Sequence, residues 1–292
     1  MRKVCVIGGG GFLGSHVADL LTIKGFKVNI LDTFASPWIK AEQESFIGDV
    51  TDLESLENAI SGCEFVYNFA ALSDLNEAVL KPIETAKINI VGNVNALEVS
   101  RKYNVKKFVY ASTVYVNSRL GGFYRCSKHA AEQYVEEYQR RYGLNYTILR
   151  YGSLYGPRSD AKNGLYRIVR DALENGYVHY EGSEDAMREY IHVIDAANAS
   201  ITMLGEEFTN QSVVLTGHEP MKVLDLLKML AEILGIKEDV KFIANPENQH
   251  YVRTPYAYQP QLGKKYIPSL HVDLGQGLIE LINEISFNGI HK

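Results

Sequence analysis

Apolar residues along this chain recur with two alternating periods. Short apolar runs of strand character alternate with stretches in which apolar positions fall three or four apart, as on one face of a helix. Strands are expected at Lys3–Ile7, Lys27–Leu31, Ser45–Ile47, Glu64–Asn68, Lys107–Ala111 and Tyr146–Leu149, and helices at Ser15–Lys24, Leu53–Ile60, Pro82–Tyr103 and Gly122–Tyr142. Such alternation predicts an α/β fold, a doubly wound parallel sheet covered on both faces, with ligands at the carboxyl ends of its strands. After Tyr151 the rhythm loosens into helices at Gly164–Asn175, Asp195–Leu204 and Lys222–Leu234 and short strands at Tyr177–Glu181 and Glu189–Ile191. Asn245–Pro268, rich in Pro, Tyr and Gln, reads as an irregular loop before a last helix at about Leu274–Ile285. Residues 1–150 are thus expected to form the ligand-binding sheet domain, and residues 151–292 a smaller C-terminal lobe that closes over a substrate.

The first strand runs into Gly8-Gly9-Gly10-Gly11-Phe12-Leu13-Gly14 and then into a helix. That order suits a dinucleotide, because glycines let the backbone approach a pyrophosphate and a helix start offers free N–H groups and partial positive charge. Two registers fit, Gly9-x-Gly11-x-x-Gly14 and Gly8-x-x-Gly11-x-x-Gly14. The second strand ends in Asp32, 18 residues beyond Gly14. A carboxylate there can accept hydrogen bonds from an adenosine ribose and repel a 2′-phosphate, which favours NAD over NADP in a Rossmann-type domain. The same carboxylate also suits the plainer task of capping the following turn.

Tyr124 and Lys128 lie just over one turn apart on the Gly122–Tyr142 helix, so their side chains share a face. A nearby ammonium, or a positively charged nicotinamide, favours the phenolate and makes the tyrosine a usable base for a substrate hydroxyl. In isolation the pair reads more simply as a partly buried tyrosine beside a solvated lysine, since this spacing falls by chance on many helices. Thr113 closes the Lys107 strand, where its hydroxyl can address the same substrate oxygen or simply finish the strand.

The 292 residues carry a net charge of −5, which favours neither nucleic acid nor an acidic membrane surface. No run reaches the length of a membrane span, and no apolar leader precedes the first strand. Cys5, Cys63 and Cys126 are odd in number and have no metal-ligand spacing, which suits reduced thiols in a cytoplasmic protein without a metal.

Gly8-x-x-Gly11-x-x-Gly14, Asp32, Gly48-Asp49-Val50, Ala70-Ala71, Ser112-Thr113, Tyr124-x-x-x-Lys128, the run Leu149-Arg150-Tyr151-Gly152-Ser153-Leu154-Tyr155-Gly156-Pro157-Arg158 and the run Arg188-Glu189-Tyr190-Ile191-His192-Val193 follow one another in this order. As a set, from Lys3 to about Leu234, they resemble the extended short-chain dehydrogenase/reductase superfamily, and within it the NAD-dependent nucleotide-sugar epimerase/dehydratase branch. The resemblance implies a homodimer in polysaccharide biosynthesis that oxidises a sugar hydroxyl, at C4, of a nucleoside-diphosphate sugar. Tyr124 would be the base, Lys128 would hold the nicotinamide ribose and lower the tyrosine's pKa, and Thr113 would orient the sugar hydroxyl. Gly8, Gly11, Phe12, Leu13, Gly14, Asp32, Asp49, Val50, Phe69, Ala70, Ala71, Asn89 and Tyr151 would line the cofactor path. Ser153, Asn163 and Arg188 would meet the substrate, with Arg188 on its diphosphate unless it is spent in a surface ion pair with Glu189 or Asp185. Where the 4,6-dehydratases of this branch have Asp-Glu after the active-site Thr, this chain has Val114-Tyr115, and the glutamate of the decarboxylases is also missing. Ser153 replaces a common asparagine, and the short Thr113–Tyr124 connection leaves room for a larger hexose or a heptose. The competing reading is a dinucleotide-binding regulatory or scaffold protein without turnover, which would have no use for Thr113, Tyr124 and Lys128.

Overall fold

β1 (Lys3–Ile7) shows how the sequence builds the fold. Successive side chains of a strand face opposite ways, so Val4 and Val6 enter one apolar layer while Cys5 and Ile7 enter another. All four are buried, as expected of a strand covered on both faces. In this computed structural model the described residues are 2–237, 240–243, 250–256 and 279. After β1 come α1 (Phe12–Ile23), β2 (Lys27–Asp32), β3 (Gln43–Ile47), α2 (Leu53–Ile60), β4 (Phe65–Asn68), α3 (Leu75–Leu80) and α4 (Pro82–Ala86). A π-helical turn (Lys87–Gly92), α5 (Asn93–Lys102), β5 (Lys107–Thr113), α6 (Gly122–Tyr142) and β6 (Tyr146–Tyr151) follow. The remainder is β7 (Ser153–Tyr155), α7 (Gly164–Asn175), β8 (His179–Glu181), β9 (Met187–Arg188), β10 (Tyr190–His192), α8 (Val193–Thr202), β11 (Gln211–Leu215), β12 (Met221–Lys222), α9 (Val223–Leu234) and β13 (Lys241–Ile243).

Among the described residues, seven strands form one sheet in the order β11-β6-β5-β4-β1-β2-β3, and every pairing in it is parallel. α1 and α8 supply the apolar layer on one face through Val17, Leu21, Val193 and Ala197. α2, α5 and α6 cover the other with Leu56, Ile60, Leu97, Ala131 and Val135. The chain order reverses between β1 and β4, and the carboxyl ends of those strands therefore open a crevice.

The division expected at residue 150 does not coincide with the edge of this sheet. β11 pairs with β6 and α8 packs on α1, so the described residues up to Tyr256 belong to one compact unit. A satellite core of Ala172, Val178, Ala186, Val223, Leu227 and Ala231 gathers α7 and α9 beside it. The Pro82–Tyr103 helix is interrupted by the π-helical turn, and α1 begins at Phe12 rather than Ser15 because Gly11 already serves as its N-cap. Of the expected Asn245–Pro268 loop only 250–256 are described, without regular structure, and the Leu274–Ile285 helix lies outside the described residues apart from Ile279. No described helix is long and apolar enough to cross a membrane, and all three cysteines are free.

Candidate active site

The carboxyl ends of β1, β2, β4, β5 and β6 meet around a cavity of about 580 Å³. One of its walls is the glycine loop. Gly8 has φ +75°, and a Cβ there would strike the Ala70 backbone nitrogen at 2.7 Å. A Cβ on Gly14 would stand 2.2 Å from the Gly8 carbonyl oxygen, so α1 can start this close to the loop only with glycine at that position. Gly11 is different: its Cβ would meet nothing nearer than the Gly8 oxygen at 3.4 Å, and the space outside it belongs to the cavity. No side chain caps the first turn of α1 and no acidic residue lies in it. The free N–H groups and dipole of that turn therefore face a cradle that a methyl group would fill, which fits a pyrophosphate.

Asp32 ends β2 at the same wall. Its Oδ2 accepts from Gly10 N–H at 2.9 Å and its Oδ1 from Thr33 N–H at 2.8 Å. It thus serves both the glycine loop and the following turn, whose Thr33 hydroxyl also donates to Oδ1 at 3.5 Å, and Oδ2 retains a lone pair for a ligand hydroxyl. Burial pushes its carboxyl up, opposed by hydrogen bonds from Gly10 and Thr33 and by the charge of Lys162. Asp49 also borders the cavity with one oxygen holding Thr51. Val50, Phe69, Ala70 and Ala71 complete the apolar side.

At the other end stand Thr113, Tyr124, Lys128 and Tyr151. The Thr113 hydroxyl accepts from Tyr115 N–H at 3.3 Å and is hydrogen-bonded to the Tyr124 phenol. Lys128, 3% exposed, donates from Nζ to the Ala111 carbonyl at 2.8 Å and lies 4.8 Å above the Tyr110 ring. Burial lowers its ammonium to about 7, and Glu132 pulls it back up. Burial pushes the half-buried Tyr124 phenol up to about 12, with the Thr113 hydrogen bond opposing. The expectation that Lys128 depresses Tyr124 is therefore corrected for the protein alone. The ammonium turns to β5 rather than to the phenol, and desolvation governs both groups. The Tyr151 hydroxyl is paired with Ser200 Oγ at 2.6 Å.

Three expected contacts lie off the cavity wall. Asn89, 1% exposed, spends its amide on the backbone of Leu72 and on Ser127 Oγ, which makes it a support for the loop after β4. Ser153 pairs with Tyr190 in the β7–β10 ladder. Arg188 is 6% exposed and donates to the Met187 carbonyl at 2.8 Å and the Tyr180 hydroxyl at 3.3 Å. Its guanidinium stacks over Tyr251 at 4.6 Å. Among the described residues it forms no ion pair with Glu189 or Asp185, and Glu189 is held by Tyr256 instead. Tyr251 also packs 4.8 Å from Tyr115, which meets Tyr124 edge-on at 6.4 Å. Arg188 is thus linked to Tyr124 through aromatic packing. Asn163 does line the cavity, with its amide on Tyr166 N–H and the Leu154 carbonyl as the cap of α7.

Sequence reasoning missed Ser73, Asp160 and Lys162, which also line the cavity. Their only local signal is position in loops after β4 and β7. The segment after Thr113 holds Val114, 1% exposed, and Tyr115, whose hydroxyl pairs with His250 Nδ1. No carboxylate occupies that stretch.

Residues 4–215 match the model of the NAD dependent epimerase/dehydratase family. A putative UDP-glucose 4-epimerase of Methanocaldococcus jannaschii is 28% identical, covering 98% of this chain and 99% of its own. A UDP-N-acetyl-alpha-D-glucosaminuronate decarboxylase of Bacillus cytotoxicus is 30% identical, with coverage of 76% and 77%. The solved Thermus thermophilus UDP-glucose 4-epimerase in complex with NAD superposes with a TM-score of 0.78 at 26% identity, over 90% of this chain and 95% of that one.

Proposed function

Because this chain belongs to the NAD-dependent epimerase/dehydratase family, whose cofactor is NAD, we propose that it oxidises the C4 hydroxyl of a nucleoside-diphosphate sugar to a 4-keto sugar. That product is then either reduced with the opposite configuration, as in an epimerase, or released, as by a 4-dehydrogenase. The observation that carries this reading is the convergence of Thr113, Tyr124 and Lys128 on the same cavity as the glycine cradle and Asp32. The nicotinamide supplies hydride acceptance. Lys128 would hold the nicotinamide ribose, and Asp32 would receive the adenosine ribose hydroxyls. Thr113 aligns the sugar hydroxyl with Tyr124, which takes its proton. With a phenol at about 12, Tyr124 needs a positive charge beside it to act near neutral pH, so proton removal is coupled to the cofactor's charge. Arg188 stands off the cavity wall, but as a fork of donors without a carboxylate partner among the described residues it is the group that would turn to the diphosphate. Most substrate contacts come from residues 151–292, and the enzyme works in the cytoplasm as a homodimer.

The reading excludes 4,6-dehydration, since Val114 and Tyr115 offer no acid–base carboxylates beside Thr113. The test is incubation with UDP-, GDP-, CDP- and dTDP-sugars and mass spectrometry of the products. An epimer keeps the substrate mass, a dehydrogenase product has lost two hydrogens, and a dehydratase product has lost a water. Tyr124→Phe should bind NAD normally and lose about two to four orders of magnitude in turnover. Loss of water, or full turnover by Tyr124→Phe, would refute the proposal.

A further inference from the structure

Tyr124, Lys128 and Glu132 are spaced by four residues along α6 and so share one face. Glu132 is 1% exposed. Its Oε1 accepts from Ser112 Oγ at 2.5 Å and from Arg150 Nε at 3.0 Å, and its Oε2 from the other end of the same guanidinium at 2.7 Å. Ser112 and Arg150 are themselves register partners across β5 and β6, and the next pair in that register is Thr113 with Tyr151. One carboxylate therefore ties together the three elements that present Thr113, Lys128 and Tyr151.

We propose that Glu132 is a positioning residue: clamped by Ser112 and Arg150, its carboxylate keeps Lys128 charged and holds β5, β6 and α6 in the register that NAD binding requires. A surface salt bridge would have little such leverage. This one is buried on the same helix face as a lysine whose Nζ donates to the Ala111 carbonyl and lies over the Tyr110 ring. Its charge acts upward on Lys128, against the burial that holds the ammonium near 7. The other charged or titratable groups around the clamp are Glu136 and Tyr146, which feel both Glu132 and Arg150, and Tyr110, which feels Glu132 and Tyr124. Glu136 also feels His129. None of them replaces Glu132 as an acid directly beside Lys128.

The inference rests on the reading of Lys128 as a cofactor-holding residue, and its test separates the two. NAD binding is measured by calorimetry from about pH 6 to about pH 9 on wild type, Glu132→Gln and Lys128→Met. Wild-type affinity should fall as pH rises through the titration of Lys128. In Glu132→Gln that fall should begin at lower pH, because the amide no longer favours the ammonium. A displacement of about one unit weakens binding about tenfold near pH 8 and less than about twofold near pH 6. Lys128→Met should abolish the pH dependence. Should the orphaned Arg150 prevent folding, Glu132→Gln with Arg150→Met replaces the pair by neutral groups, and a smaller displacement in the same direction is expected, because the opposing charge of the guanidinium is lost with the carboxylate. A fall at the wild-type pH in either variant overturns the role of Glu132 alone. Wild type and Lys128→Met with the same pH dependence overturns that role together with the reading of Lys128.

Discussion

Alanine at Gly11 and alanine at Gly14 should damage this protein in opposite ways. At Gly14 the new methyl would stand 2.2 Å from the Gly8 carbonyl oxygen, so the start of α1 must retreat from the loop by about an ångström, an overpacking that costs about 1–3 kcal/mol. Better helix propensity returns about 1 kcal/mol of that. The net loss of up to about 2 kcal/mol should lower Tm by several degrees, at about 2–4 °C per kcal/mol for a chain of this class. At Gly11 the backbone is already extended, with φ −81° and ψ −176°, and the nearest atom to the methyl is at 3.4 Å. Alanine fits there, and Tm should change by about a degree or two, since only a weak N-cap preference is lost. That methyl, however, fills the cradle. Losing one charge-assisted hydrogen bond to the pyrophosphate, at about 1.5–3 kcal/mol, weakens NAD binding about 10- to 100-fold. Thermal unfolding of the proteins alone, paired with NAD calorimetry, reads both effects. A Gly11→Ala protein that binds NAD like wild type would show that the phosphates do not sit on this loop. A Gly14→Ala protein of undiminished Tm would show that the close approach to Gly8 constrains nothing.

Asp32→Ala should narrow the preference for NAD over NADP, and equal affinities for the two cofactors in the wild type would defeat the assignment. Arg188→Ala should raise the dissociation constant of the nucleotide sugar by at least about tenfold while NAD affinity stays constant, because a charge-assisted contact is lost on the substrate side only. Lys128 makes stability depend on pH. Its folded pKa, near 7, lies below that of a free lysine, so between the two the unfolded chain binds more protons and stability rises with pH. Without cofactor, Tm should climb from about pH 7 to about pH 9, a gain of up to about 2 kcal/mol that Lys128→Met removes. A flat profile in the wild type would contradict the burial of the ammonium.

Local pattern determined much of this protein. β1, α2, α6 and α7 begin and end where periodicity and punctuation place them, because strand and helix periods and the residues that stop them act over a few positions. The glycine loop between β1 and α1 and the shared face of Tyr124 and Lys128 were legible for the same reason. What the chain does at long range was decided by the tertiary structure. β11 carried no strong signal of its own, yet it extends the sheet beyond the boundary at residue 150, since strand pairing depends on a neighbour about 60 residues away in sequence. The π-helical turn aims Asn89 inward at Leu72 and Ser127 rather than into the cavity. Ser112 and Arg150 belong to motifs legible in the sequence, but nothing there joins them to Glu132, and the three meet only when β5, β6 and α6 pack together. Even Lys128, whose place on the helix was readable, is turned to the Ala111 carbonyl by its surroundings. A buried polar group takes the partner that packing brings within reach, and the spacing of a motif fixes the side chain's face but not that partner.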